Sequence, residues 1–129
     1  SGLKGLTGEN DMRAVRHMVD SEDSEVARRA RLALDIYVTR IIKYIGSYTA
    51  ELGGLDVITF TAGIGENDAD LRREVCERLL PFGVRIDDEV NNQRFSAATT
   101  ISTDDSSVTV MVVPTNEELA IARQALTLI

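Results

Sequence analysis

An α/β domain with parallel strands is the architecture this sequence predicts, and three observations predict it. Helical and strand-like segments alternate along the chain. Two compact, β-branched runs, Leu55 to Thr61 (LDVITFT) and Val108 to Val113 (VTVMVV), are each followed, after a short turn, by a helical pattern. No linker, internal repeat or low-complexity tract interrupts that alternation.

Gly2, Gly5 and Gly8 make the first ten residues read as loop, and a short helix follows from about Asp11 to Met18. The strongest periodicity comes next. Val26, Ala30, Leu34, Tyr37, Ile41, Ile45, Tyr48 and Leu52 recur at steps of three and four, an apolar stripe along one helix from about Glu25 to Leu52. Ser24 is its expected cap, and Gly53 its left-handed end. Such a helix is on the order of 40 Å long and should lie across something larger. Leu55 to Thr61 reads as a buried strand, Ala62 to Asn67 as a glycine turn, and the residues to about Leu80 as a helix. Pro81, Phe82 and Gly83 break that helix. Val84 to Ile86 suits a short strand, Asp87 to Phe95 a short helix with acidic residues at its start, and Thr99 to Ser102 an extended piece. A turn at Asp104 to Ser107, a second buried strand at Val108 to Val113 and a helix from Thr115 to about Leu128 complete the chain. Only two runs suit a sheet centre, too few for a sheet covered on both faces, so the chain reads as the second half of an α/β domain whose opening strands lie elsewhere.

Composition excludes several function classes. The 129 residues amount to one domain, and 43% hydrophobic with 27% charged residues suits a globular core rather than disorder. With 14 Lys and Arg against 21 Asp and Glu the formal net charge is −7, which disfavours a nucleic-acid partner. Arg28, Arg29 and Arg31 are the nearest thing to a basic stripe and read as a solvated helix face. Cys76 and His17 are the sole cysteine and histidine, so neither an intrachain disulfide nor a Cys/His zinc site is expected. Cys76 falls among Val75, Leu79 and Leu80, where a small buried hydrophobe fits better than a reactive thiol, and His17 reads as a partly exposed helix residue. Neither a membrane span nor a signal-peptide pattern is evident, and the expected setting is soluble and cytoplasmic.

Chemistry concentrates at the turn after the first strand. Gly63 and Gly65 remove side chains that would keep a ligand off the backbone, the amides opening the next helix favour an anion, and ligands of open α/β sheets bind at the carboxyl ends of strands. The other reading is a tight turn that merely needs glycine. Asp68 stands where a dinucleotide fingerprint needs glycine or alanine, and the P-loop Gly-Lys-Ser/Thr is absent. After the second strand, Thr115 as cap and Glu118 would complete a capping box. Glu117 is then left at the same sheet edge, either as a partner of a hydrated Mg²⁺ or as a mere complement to the helix dipole. Asp11-Met12-Arg13, taken alone, is an ordinary helix start.

Several motifs occur in one order: Ser1-Gly2-Leu3 with Gly5, Asp11-Met12-Arg13, Ala33-Leu34-Asp35, Lys43-Tyr44-Ile45-Gly46, Gly54-Leu55-Asp56, Phe60-Thr61-Ala62-Gly63-Ile64-Gly65-Glu66-Asn67, Arg72-Arg73-Glu74-Val75 and Pro114-Thr115-Asn116-Glu117-Glu118-Leu119. Together they resemble the C-terminal part of the acetate and propionate kinase family, across essentially the whole chain. The resemblance implies a partial actin-like (ASKHA, ribonuclease H-like) ATPase domain, a C-terminal lobe segment lacking its opening strands, with residues 1–129 as its nucleotide-binding part. It implies phosphoryl transfer between ATP and acetate, giving ADP and acetyl phosphate. Asp11, Met12, Arg13, Gly63, Ile64, Gly65, Glu66 and Asn67 would contact ATP or ADP, and Glu117 would help place Mg²⁺. The family's catalytic aspartate, its phosphoryl-stabilising arginines and histidines, and its acetate pocket have no motif here. The chain alone is therefore expected to be inactive, to meet acetate only through the absent N-terminal part, and to form a homodimer or self-associate. The competing reading is an autonomous nucleotide-binding or oligomerisation module without chemistry, in which the long helix makes a self-interface.

Overall fold

The computed structural model describes residues 2–128, with side chains at all of these except 117–121. Its first element is a helix, α1 (Gly2–Thr7), where three glycines predict a loop. Tertiary packing overrides the poor local propensity. Leu3 is buried with Ala30, Ala33 and Leu34, and the Thr7 hydroxyl donates back to the Leu3 carbonyl at 2.6 Å. Helix α2 (Met12–Met18) begins at Asp11, whose carboxylate accepts the Arg13 amide at 2.8 Å.

Helix α3 (Ser24–Leu52) is the long helix of the periodic stripe. Its cap is Asp23 rather than the expected Ser24, because the Asp23 carboxylate reaches the amides of Glu25 and Val26, at 3.0 and 3.3 Å. Gly53, at φ 75°, ends the helix in the left-handed region as expected. Ala27, Ala30 and Ala33 are buried, and their small side chains let α1 and α2 pack close. Towards the other end Tyr37, Ile41, Ile42 and Ile45 pack on the sheet's core, but the stripe then runs into solvent, with Tyr48 56% and Leu52 78% exposed.

The sheet has the order β1-β3-β2, from β1 (Val57–Thr61), β2 (Thr99–Thr100) and β3 (Thr109–Val113). As expected, β1 and β3 run parallel, Val57 opposite Thr109 and Thr61 opposite Val113. β2 departs from that pattern: it lies antiparallel to β3, Thr99 opposite Val112, because the chain returns through a short turn rather than a helical crossover. The expected strand at Val84 to Ile86 is reduced to a single bridge between Ile86 and Ser102. Nor are the two main strands buried on both faces. Ile58, Phe60, Val110 and Val112 point into the core while Val57, Thr59, Thr61 and Thr109 are exposed.

The expected glycine turn and following helix form two helices, α4 (Ala62–Asn67) and α5 (Ala69–Arg78). Asp68 separates them and caps α5 by accepting the Leu71 amide at 2.9 Å. A 3-10 turn at Leu80–Phe82 follows, then α6 (Asp88–Asn91), capped by Asp87 and shorter than expected, and finally α7 (Glu117–Thr127). The main core joins Val38 of α3, the inward strand residues, Leu71, Val75, Cys76 and Leu79 of the α5 region, and Val84 and Ile101. A fully buried aliphatic such as Leu79 or Ile101, both 0% exposed, contributes about 1.5–3 kcal/mol. Cys76 is buried as the sequence suggests, and that burial pushes its thiol up to about 12. Among the described residues no helix is long and apolar enough to cross a membrane.

Candidate functional site

Because β1 and β3 are parallel and in register at Thr61 and Val113, the chain leaves both strands at the same edge of the sheet. Glu66 of α4 ties the two exits together. Its Oε1 accepts the Thr115 amide at 2.5 Å and the Thr115 hydroxyl at 2.7 Å. That hydroxyl, with the amide, holds the Glu66 carboxyl below its ordinary range. The Thr115 hydroxyl thus gives its proton to Glu66, two residues before the start of α7. The Glu118 side chain of the expected capping box and the Glu117 side chain of the expected Mg²⁺ contact lie outside the described residues.

The turn itself is built from unusual backbone. Ala62 has φ 56°, a left-handed conformation that costs a non-glycine residue about 1 kcal/mol or more. Gly63 follows with φ 19° and ψ −100°, a kink inside α4. The Asn67 side-chain amide donates to the Gly63 carbonyl at 2.9 Å and closes the turn. A Cβ on Gly65 would lie 3.5 Å from the Phe60 carbonyl carbon, so this glycine faces the end of β1.

Facing the turn is α2. Between them opens a cleft of about 690 Å³ lined by Asp11, Met12 and Arg13 on one side and by Gly63, Ile64, Asn67 and the start of α5 on the other. Two segments that the sequence keeps far apart are brought to one cavity, while Gly65 and Glu66 stand outside its wall. Met12 is only 4% exposed and belongs to the core with Val15 and Leu34, so it forms floor rather than rim. The Arg13 amide, and then its guanidinium, hold the Asp11 carboxyl below the usual carboxylate range. Arg13 itself is 89% exposed at the mouth.

Two arginines of this region were given no role by motif reading, Arg16 being outside every motif and Arg72 entering only as part of Arg72-Arg73-Glu74-Val75. Arg16 crosses from α2 to the other wall, its Nε 3.1 Å from Asp68 and its Nη1 3.1 Å from Glu74, while its Nη2 is buried without a partner. Arg72 is 1% exposed and lies behind the turn. Its spacing on α5 gave a signal of burial: position 72 follows the apolar Leu71 on the face that carries Val75 and Leu79. A neighbouring groove of about 560 Å³ between Arg16, Arg31, Asp35, Glu74 and Arg78 holds none of the residues expected to bind nucleotide. Among the described residues, no three His, Cys, Asp or Glu side chains converge to hold a metal ion.

Fold and cleft define the class: an α/β domain with a cleft at the carboxyl edge of its parallel strands, the edge where such sheets bind ligands. Residues 1–123 match the Acetokinase family, and the chain belongs to that family. It is 57% identical over 126 residues to the acetate kinase of Leifsonia xyli subsp. xyli, covering 98% of this chain and 31% of that protein. The crystal structure of acetate kinase from Entamoeba histolytica superposes with a TM-score of 0.86 at 31% identity, over 97% of this chain and 33% of that one. A propionate kinase from Francisella tularensis superposes with a TM-score of 0.76 at 39% identity, over 95% and 30%. The chain therefore spans about a third of the length of the relatives it matches. Its fold is part of an actin-like ATPase domain, as the sequence resemblance implied.

Proposed function

We propose that this chain is the nucleotide-binding portion of a phosphotransferase that moves a phosphoryl group between ATP and acetate. The observation that carries the proposal is the single cleft lined by both Asp11 to Arg13 and Gly63, Ile64 and Asn67. Its volume suits a ligand of nucleotide size. Three aspartates and two arginines are among its lining residues, so the wall supplies no net positive field for a polyphosphate. It suits the uncharged nucleoside end, with the phosphates directed towards the sheet edge and α7.

Mg²⁺ fits this arrangement as an ion carried in by the phosphates, which together with water supply most of its ligands, and needing few carboxylates from the protein. Glu117, at the start of α7, is the residue proposed to meet it. When bound, the ion offsets charge on the transferring phosphoryl oxygens, while the chain's own residues hold and orient the nucleotide. Asp11 fixes the start of α2 and the Asn67 amide fixes the turn, so both walls are set before the ligand arrives.

The test compares the purified chain with the full-length protein, using acetate, ATP and Mg²⁺. The full-length protein should form acetyl phosphate and lose Mg-ADP affinity at least tenfold on Gly63→Val. The chain alone should form none. Acetyl phosphate made by the chain alone, and abolished by Glu117→Ala, would refute the incomplete-site reading. Propionate as acceptor is the second reading, motivated by the superposition on a propionate kinase. Turnover of the two acids side by side decides between them.

A further inference from the structure

We infer that Arg72 is a positioning residue of the nucleotide cleft, a buried guanidinium that fixes the backbone of the Gly63–Asn67 turn from behind. This rests on the nucleotide reading given above. Arg72 Nη1 donates to the carbonyls of Gly65 and Glu66, at 2.9 and 2.8 Å. Its Nε donates to the Asn91 Oδ1 and its Nη2 to the Asn91 carbonyl, each at 2.7 Å. The guanidinium also lies over the Phe95 ring, 5.2 Å from its centre. Asn91 is fully buried and is itself fixed, its side-chain amide donating to the Ala69 carbonyl at 2.9 Å.

The chemistry of this arrangement is unusual for a purely structural residue. A buried cation is costly unless paired, yet each of these four hydrogen bonds ends on a neutral acceptor. Burial accordingly pulls the Arg72 pKa below its ordinary value. An aliphatic side chain would fill the same space without that cost. It could not hold two consecutive carbonyls of the turn, and those carbonyls sit between Ile64 and Asn67, which line the cleft. The planar fork fixes both at once and transfers the rigidity of α6 to the turn. Since a misplacement of about 1 Å can cost 10²-fold in a positioned site, the effect of losing the fork should appear in nucleotide binding before it appears elsewhere.

The test uses the full-length protein with Arg72→Lys and Asn91→Ala. The readouts are the Kd for Mg-ADP by calorimetry, the KM for the carboxylic-acid substrate, and the Tm. Lysine keeps the charge but cannot reach both carbonyls and Asn91, so Arg72→Lys should weaken Mg-ADP at least tenfold with the acid's KM within twofold. Asn91→Ala loosens the anchor and leaves the arginine, so it should show the same split at three- to fivefold. It carries the test if the lysine variant fails to fold. Folded variants that bind Mg-ADP within twofold of the wild type would overturn the inference. So would an equal loss of affinity for both substrates, the mark of general damage to the fold. A wild-type protein without measurable Mg-ADP affinity would overturn the cleft reading, and this inference with it.

Discussion

Arg72 and Gly83 show how differently two residues declare themselves. Gly83 was legible: it follows Pro81 and Phe82 in a helix-breaking cluster, and it adopts φ 85°. A Cβ there would also sit 2.7 Å from the Ser107 hydroxyl oxygen and 2.8 Å from the Ser107 Cβ. Gly83→Ala should therefore destabilise the protein by about 2 kcal/mol or more, from left-handed strain plus the clash. A urea midpoint unchanged from wild type would contradict this. The role of Arg72 was not legible, because the motif Arg72-Arg73-Glu74-Val75 names it without placing it, and only the distant Asn91 and Phe95 make it a core residue. Cys76 lies between these cases, since its apolar neighbours announce burial without fixing its degree. With the thiol at 2% exposure and its pKa pushed up to about 12, a thiol reagent at pH 8 should label it only as fast as the protein opens. Rapid labelling of the native state would show that the α5 face is not closed.

Among the elements, α3 was the most legible because its evidence is periodic and spread over 29 residues. α1 was misread for the opposite reason: six residues with two glycines have no local claim to helicity, and the packing of Leu3 and Leu6 into the cluster with α3 supplies it. The cleft has the same history. Each wall was identifiable from its residues, but their meeting depends on α2 and α5 both packing against α3 and on the Arg16 bridge. The first turn of α3 also makes a pH prediction. Arg28, then Arg29, holds the exposed Glu25 carboxyl down to about 2, against an ordinary 4.5. A carboxyl lowered in the folded state contributes fully above its unfolded value, and that contribution is lost as pH falls from about 4.5 towards 2. The Glu25 carboxyl carbon should accordingly titrate near 2 by NMR in low salt, moving towards 4.5 as salt screens the pairs. A midpoint already near 4.5 at low salt would mean the arginines are not engaged.

At the scale of the molecule, the sheet has one face towards the core and one towards solvent, and β1 is an edge among the described strands. Val57, at 52% exposure, stands on that outer face. Along α3, Tyr44, Tyr48 and Leu52 are exposed as well. Surfaces of this kind drive association, so the isolated chain is expected to self-associate at high concentration in sedimentation. A clean monomer across the concentration range would count against it. The shortage of core strands, read from the sequence, corresponds to this uncovered sheet.

Helix α3 has a consequence beyond packing. It is a rod of about 43 Å at the standard rise, and both walls of the cleft are mounted on it: α2 through Met12 and Val15, α5 through the bonds from Arg78 to Asp35 and Thr39. Arg16 braces the two walls directly. Walls bolted to one beam and cross-braced cannot act as jaws. Enzymes that shut out water during group transfer commonly do so by moving parts. If the proposed phosphoryl transfer is shut off from water by a moving part, that part is one that swings against this unit, with the unit serving as the anvil.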